Sequence, residues 1–173
     1  MTKDVIACIE ERRSIRQLGG EVDDATIARL LESAVLAPSA GNQQPWFFYV
    51  VKNLEIKEQL VEAALGQRFL MDAPVVIVVC VDPEVSAARY GDRGRELYCI
   101  QDAAAAAQNI LLTATAYGLG TTWVGAFSEE RVAASLNLPS NHRPLTLIPV
   151  GVPQGEPKAR PRKNLDDLVQ VIE

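Results

Sequence analysis

The stretch PVVIVVCVD, residues 74–82, has no polar side chain until its final aspartate. A strand with one solvent-facing side alternates apolar and polar residues, whereas a strand covered on both faces reads as a continuous apolar run. The β-branched residues in this run also favour a strand over a helix. We therefore predict a central strand that other elements cover on both faces.

The segments on either side of this strand extend the prediction. WFFYVV (46–51) and LTLIPVGV (145–152) are rich in β-branched and apolar residues and are predicted as strands. Apolar residues at helical spacing predict helices between the strands, and Asp23, Asn53 and Ser128 are the expected N-caps. The order of the elements predicts a sheet with helices on both of its faces.

Three further segments complete the chain. Residues 97–117 form an alanine-rich pattern that is apolar nearly all round, so this helix is predicted to be buried. The polar and charged stretch 84–98 is predicted to be an exposed excursion. The tail, 153–173, is first rich in proline and cations and then ends in an apolar segment that could dock on another surface.

Length and composition limit the class of protein. A chain of 173 residues that is 48% hydrophobic is predicted to be one globular domain, residues 1–173. Its net charge of −5 argues against nucleic acid and anionic membranes as partners. No apolar run approaches the roughly 18 residues that a membrane-spanning helix needs, and the first residues do not follow the pattern of a signal peptide.

Cysteine and histidine usage narrows the chemistry further. Cys8, Cys80 and Cys99 lie far apart in apolar segments, so we predict buried, reduced thiols and a cytoplasmic protein. His142 is the only histidine, and its loop-like surroundings predict a surface position. A Ser/His/Asp triad and a histidine-rich metal site are therefore not expected.

Basic residues cluster at both ends of this acidic chain. EERRSIRQ, residues 10–17, contains three arginines around Ser14, and the tail carries a second cluster at 158–163. The first cluster could complement the negative end of a helix, and the second could be a solvated charge run. Alternatively, the two clusters could converge on one phosphate, to which each charge-assisted donor contributes roughly 1.5–3 kcal/mol.

Two loops could also contact a ligand. APSAGNQQPW (37–46) combines small residues, which allow close approach of a flat molecule, with amide side chains that form hydrogen bonds. Its composition is equally typical of an ordinary connection between a helix and a strand. GLGTTWVGAF (118–127) is glycine-rich, but it lacks the G-x-G-x-x-G pattern of a dinucleotide-binding turn.

Taken together, these segments resemble the FMN-dependent nitroreductase family. The resemblance lies in R-R-S-x-R at 12–16, A-P-S-x-x-N-x-Q-P-W at 37–46, GLG…WVG at 118–125 and P-K-x-R-x-R at 157–162. Each motif alone is weak, but all four occur in order and span nearly the whole chain. The resemblance implies an α+β fold, an α/β/α sandwich with a mixed central sheet. It also implies an intertwined homodimer that exchanges the tail 153–173 and binds FMN at each of two interface clefts.

The resemblance assigns site residues position by position. The phosphate of FMN would be held by residues from both ends of the chain: Arg12, Arg13 and Ser14, with Lys158, Arg160 or Arg162. Arg16 would lie near flavin N1 and O2, and Gln67 would face the pyrimidine edge. The remaining positions would line the flavin ring. They are Pro38, Ser39, Ala40, Gly41 and Asn42 from the partner subunit, and Trp123, Val124 and Gly125 near N5.

The activity implied by the resemblance is hydride transfer from NADH or NADPH, through flavin N5, to a small nitroaromatic or quinone acceptor in a ping-pong cycle. No side chain is assigned as a catalytic acid or base, because flavin N5 is the reactive atom, and no metal site is expected. One alternative is a flavin-binding protein without turnover. Others are family variants: a dehalogenase, an enoate reductase or a flavin-cleaving enzyme. A dehalogenase would need an acid, a tyrosine and a lysine, and no lysine accompanies Glu96, Tyr90 and Tyr98.

Overall fold

The computed structural model describes residues 3–155 and 159–173. Five strands form one sheet: β1 (Leu18–Gly19), β2 (Trp46–Val51), β3 (Val75–Val81), β4 (Gly120–Thr121) and β5 (Arg143–Pro153). Their order across the sheet is β1, β5, β3, β2, and β4 also pairs with β5. All four ladders are antiparallel. We expected a mixed sheet, but within the described residues the parallel pairing is limited to an isolated bridge between Ser14 and Thr121.

Seven α-helices accompany the sheet in the described part of the chain. They are α1 (Val5–Glu11), α2 (Asp24–Val35), α3 (Leu54–Ala63), α4 (Phe69–Asp72), α5 (Pro83–Arg93), α6 (Cys99–Ala116) and α7 (Glu129–Ser135). The three predicted N-caps are confirmed. Each side-chain oxygen accepts a backbone N–H from three residues later, at 2.6 Å for Asp23, 3.0 Å for Asn53 and 3.3 Å for Ser128.

The central strand is β3, as predicted. All of its residues are buried, and it pairs with β2 on one side and β5 on the other. Because side chains alternate along a strand, β3 contributes to two separate hydrophobic clusters. One contains Ile77 and packs against α2 and α6, and the other contains Val78 and packs against α3 and α7. The sandwich of a sheet between two helical layers is thereby confirmed.

The stretch 84–98 is largely exposed, as its composition predicted, and it forms helices that the composition did not predict. Asp82 caps α5 by accepting the backbone N–H of Glu84 at 2.9 Å, and α5 continues through a π-helix, Gly94–Tyr98, into α6. A Cβ added to Gly94 would lie 2.3 Å from the Ser86 carbonyl oxygen, so the chain packs closely there. Serine and glycine occupy buried positions where large apolar residues would have revealed the helix.

Apolar residues at both ends of the chain remain exposed. Val5, Ile6 and Ile9 form the expected face of α1, yet each is more than half exposed. In the tail, the large apolar side chains after the short 3₁₀-helix Leu165–Asp167 are also exposed, and Ile172 reaches 89%. Docking of this tail on a partner therefore stays a prediction. Within the described residues, no helix combines the length and apolar character required to cross a membrane.

Candidate cofactor site

The two basic clusters meet in one cavity. Its volume is about 260 Å³, and it is lined by Arg12, Arg13, Ser14, Arg16, Arg160 and Arg162. We refer to it as the arginine cavity. Lys158, the remaining basic residue predicted for this site, lies outside the described residues. Segments that are almost 150 positions apart in the chain thus contribute guanidinium groups to a single space.

The N-terminal side of the arginine cavity is fixed by the sheet. Helix α1 ends at Glu11, and the following residues extend beside β4. The backbone N–H of Ile15 donates to the Thr121 carbonyl at 2.8 Å, and Thr122 Oγ1 donates to the Ile15 carbonyl at 2.6 Å. The three arginines therefore follow the helix instead of lying in its last turn. This placement favours anion binding over the alternative that they only complement the helix end.

The arginine cavity carries uncompensated positive charge. None of its five guanidinium groups has a carboxylate at ion-pair distance in the part of the chain that the structure describes. Partial burial lowers the pKa of Arg12, and repulsion from Arg162 and Arg13 lowers it further. Repulsion between cations held this close is relieved when an anion binds among them.

Arg16 connects the arginine cavity to a second group of predicted residues. Its guanidinium carbon lies 5.6 Å from the centroid of the Phe69 ring, in a cation–π contact. Phe69 is two positions after Gln67, whose Nε2 donates to the carbonyls of Ala64 at 2.9 Å and Ala126 at 3.1 Å. Both Nε2 protons serve these contacts, so the Gln67 group available to a ligand is Oε1.

The segment 123–125 follows directly after Thr121 and Thr122, which hold Ile15 by hydrogen bonds. Val124 is buried and exchanges two backbone hydrogen bonds of 3.0 Å with Leu147, which fixes the segment to β5. Trp123 and Gly125 on either side of it are exposed. Arg16 is thus linked to the neighbourhood of Gln67 through Phe69, and Gln67 is linked to the end of this segment through Ala126.

The loop 38–42 does not line the arginine cavity of its own chain. It folds instead against α5 and α6, and its backbone is left-handed at Gly41 (φ 55°) and Asn42 (φ 57°). Ser39 Oγ accepts the backbone N–H of Gln44 at 3.0 Å, which closes the loop. Within one chain, the predicted site residues are therefore divided between two separate places.

Asp102 contacts this loop and was not predicted from the sequence. Its Oδ1 accepts the backbone N–H of Ala40 at 3.0 Å, while its buried Oδ2 has no hydrogen-bond partner within the described residues. Burial raises the pKa of Asp102, and the Ala40 N–H opposes that rise. The signal in the sequence was the lone acid of an alanine-rich helix.

Comparison with known proteins identifies the chain. The model of the nitroreductase family matches residues 9–67 and 61–152. The chain belongs to the nitroreductase family. This confirms the predicted resemblance, and it makes the protein an oxidoreductase.

Individual nitroreductase-family relatives agree with this assignment. An Archaeoglobus fulgidus protein, provisionally named NADH dehydrogenase/NAD(P)H nitroreductase, is 37% identical over 89% of this chain and 88% of its own length. A Thermus thermophilus protein named NADH dehydrogenase is 34% identical over 92% and 91%. A provisional nitroreductase from Exiguobacterium sibiricum, solved in complex with FMN, covers 99% of this chain and 100% of its own with a TM-score of 0.86. At 21% identity, that structure demonstrates a shared fold.

Proposed function

We propose that this protein is an FMN-dependent oxidoreductase that transfers a hydride from NADH or NADPH to a small nitroaromatic or quinone acceptor. Bound FMN supplies the hydride chemistry through its N5 atom, and the protein supplies position and electrostatics. The observation that carries the proposal is the arginine cavity, where both ends of a family member with the required motifs present unneutralised guanidinium groups.

The arginine cavity suits the phosphate of FMN in charge and in donor type. A phosphomonoester carries close to two negative charges at neutral pH. Guanidinium groups donate paired N–H groups to phosphate oxygens, and the Ser14 hydroxyl can add a neutral donor. Because the described residues around the cavity offer no carboxylate partner to these arginines, a bound phosphate would have no internal anion to displace.

The surface beyond the arginine cavity suits the flavin ring. Arg16, held against Phe69, would present positive charge to the N1 and O2 edge. Gln67 Oε1 would accept a hydrogen bond from the pyrimidine edge. The backbone of residues 123–125, anchored by β5, would lie beside N5. In this arrangement the side chains orient the cofactor, and none of them acts as a catalytic acid or base.

A second copy of the chain would complete the site. The loop 38–42 lies away from the arginine cavity of its own chain, so it could line the ring only in the cavity of a partner. The exposed apolar residues of α1 and of the tail would supply the contact surface of such a homodimer. A cleft formed in this way excludes water from the ring and admits the reductant and the acceptor in turn, as a ping-pong cycle requires.

Purification and steady-state kinetics test the proposal. We expect a yellow protein that retains or takes up FMN and oxidises NADH or NADPH in the presence of a nitroaromatic or a quinone. Arg12→Ala should weaken FMN binding, whereas Arg131→Ala, which removes an exposed arginine that pairs with Glu62, should not. A protein that FMN cannot reconstitute would overturn the cofactor assignment. A flavin-loaded protein that oxidises neither nucleotide with any acceptor would instead be a flavin-binding protein without turnover.

A further inference from the structure

Helix α5 and the π-helix bring two arginines and two tyrosines together beside the loop 38–42. The guanidinium carbon of Arg89 lies 5.5 Å from the ring centroid of Tyr90, and that of Arg93 lies 5.3 Å from the ring centroid of Tyr98. The two tyrosine rings meet edge to face with centroids 5.1 Å apart, and Arg93 Nε donates to the Tyr98 hydroxyl at 2.9 Å. We call these four residues the arginine–tyrosine cluster.

An irregular backbone produces the arginine–tyrosine cluster. Gly91 interrupts α5 with φ 56° and ψ −143°, a conformation that other residues rarely adopt. The chain then passes through the π-helix Gly94–Tyr98 before α6 begins. In a continuous helix Tyr90 and Tyr98, eight residues apart, would be separated by about 12 Å along the axis, so the irregular segment is what allows their rings to meet. Both kinds of irregularity recur at functional sites, where they position side chains that a regular helix would direct elsewhere.

The cluster contacts the loop that the proposed function places over the flavin. Arg89 Nη1 lies 3.5 Å from the Gly41 carbonyl oxygen. The Tyr90 hydroxyl approaches Gly41 so closely that a Cβ there would lie 2.4 Å from it. Glycine at position 41 therefore permits both its left-handed backbone and the contact with Tyr90. The cluster and the loop form one continuous wall.

Charge distinguishes the cluster from the neighbouring surface. Arg95 is neutralised by two hydrogen bonds to Glu84, of 2.8 and 2.9 Å, and by an ion pair with Asp92. Arg89 and Arg93, by contrast, have no carboxylate at ion-pair distance among residues 3–155 and 159–173. Arg93 uses Nε on the Tyr98 hydroxyl and Arg89 uses Nη1 on the Gly41 carbonyl, so the remaining N–H groups of both are available to a carboxylate or a phosphate.

We propose that the arginine–tyrosine cluster binds the anionic group of a planar substrate whose ring stacks on the flavin. The inference rests on the proposed function, because that function places the loop 38–42, and the cluster with it, at the flavin. Two sources share this chemistry: an acceptor with a carboxylate on its aromatic ring, and the phosphate groups of the nicotinamide nucleotide. In both cases Arg89 and Arg93 pair with the anion, and Tyr90 and Tyr98 border the ring.

Equilibrium binding to the oxidised, FMN-loaded protein tests the inference without turnover. The probes are para-nitrobenzoate and its neutral counterpart para-nitrobenzamide, each titrated while the flavin absorbance is followed. In the double variant Arg89→Gln/Arg93→Gln, the dissociation constant of para-nitrobenzoate should rise about ten-fold or more. That of para-nitrobenzamide should change less than about two-fold, because its ring contacts remain. Arg131→Gln is the control for loss of an exposed arginine.

A second arm distinguishes the two sources of the anion. The rate at which NADH and NADPH reduce the flavin is measured in the same variants by stopped flow at several nucleotide concentrations. A loss of para-nitrobenzoate affinity alone assigns the cluster to the acceptor, and a loss of nucleotide affinity alone assigns it to the reductant. Unchanged affinity for both, relative to Arg131→Gln, overturns the inference while leaving the proposed function intact. A wild-type protein that binds no FMN overturns both.

Discussion

The central sheet and the two chain ends differ in how completely a single chain buries their apolar side chains and neutralises their charges. Strand β3 is fully buried, pairs on both sides and packs into a hydrophobic cluster on each face. The ends show the opposite properties. Their large apolar side chains are exposed, and their arginines line a cavity in which the described residues provide no counter-charge.

This difference separates the source of stability from the source of function. Apolar burial within one chain stabilises the sheet. We therefore explain the residues of the sheet by how they pack. Contacts within the same chain stabilise the two ends little. We therefore explain their residues by what they could bind: an anion at the arginines and a second copy of the chain at the apolar surfaces. Substitutions in the two regions should therefore change different measurements.

The largest expected effect is at the arginine cavity. Arg160→Ala together with Arg162→Ala should weaken FMN binding by about 3–6 kcal/mol, because each charge-assisted hydrogen bond to phosphate contributes roughly 1.5–3 kcal/mol. Titration of the apoprotein with FMN measures this change. Thermal unfolding of the FMN-free form should be unaffected, since both residues are exposed. If unfolding drops as much as affinity does, the tail has a structural role and the contrast between the regions fails.

The matching substitution in the sheet should give the reverse pattern. Ile77→Ala removes a fully buried side chain from the middle of β3. It should lower the free energy of unfolding by about 2–5 kcal/mol, as such core truncations generally do. Urea denaturation gives this value, and the FMN affinity of the folded fraction should stay at the wild-type level. A large loss of FMN affinity without a loss of stability would contradict the separation.

A smaller effect is expected at the exposed apolar tail. Leu168 is 62% exposed in the single chain, so Leu168→Ala should leave monomer stability within about 0.5 kcal/mol. If the tail docks on a partner, the substitution should weaken dimerisation by about 1.5–3 kcal/mol, the contribution of a buried leucine. Sedimentation at several protein concentrations measures the association. An unchanged association constant would show that this part of the tail lies outside the dimer interface.

The smallest effect concerns the pH dependence of stability at Asp102. Burial raises the pKa of this carboxyl group. Its contribution to stability is therefore full below the unfolded pKa and is lost as pH rises through the folded pKa. Asp102→Asn keeps an oxygen for the Ala40 N–H but does not titrate. Its melting temperature relative to wild type should increase as the pH rises above about 4, the ordinary pKa of an aspartate. A constant difference would show that folding does not raise the pKa of Asp102.

The elements with a local signal were predicted well from the sequence. The continuous apolar run of β3 and the N-caps Asp23, Asn53 and Ser128 each have a pattern that reads directly along the chain. The convergence of the two basic clusters was one of two alternatives that their charge left open, and the family resemblance favoured it. Nothing in the spacing of residues 12–16 and 160–162 indicates that they meet, because that contact depends on the path of the whole chain.

The features that were missed depend on contacts between distant residues. Asp102 and Ala40 are separated by 62 positions, and no periodicity links them. His142 was predicted at the surface, but it is half-buried, with Nδ1 2.6 Å from the Tyr49 hydroxyl and its ring 3.8 Å from that of Phe47. In both cases the side chain contacts an element that is distant in the sequence. No local pattern in a single sequence indicates such contacts.

The position of Arg160 and Arg162 in the chain has a consequence for biosynthesis. Strand β5 ends at Pro153, so every strand of the sheet has been translated before either arginine leaves the ribosome. A nascent chain therefore lacks two of the five arginines of the arginine cavity until its last strand has been synthesised. Capture of a phosphorylated ligand would be among the last events in the maturation of this protein.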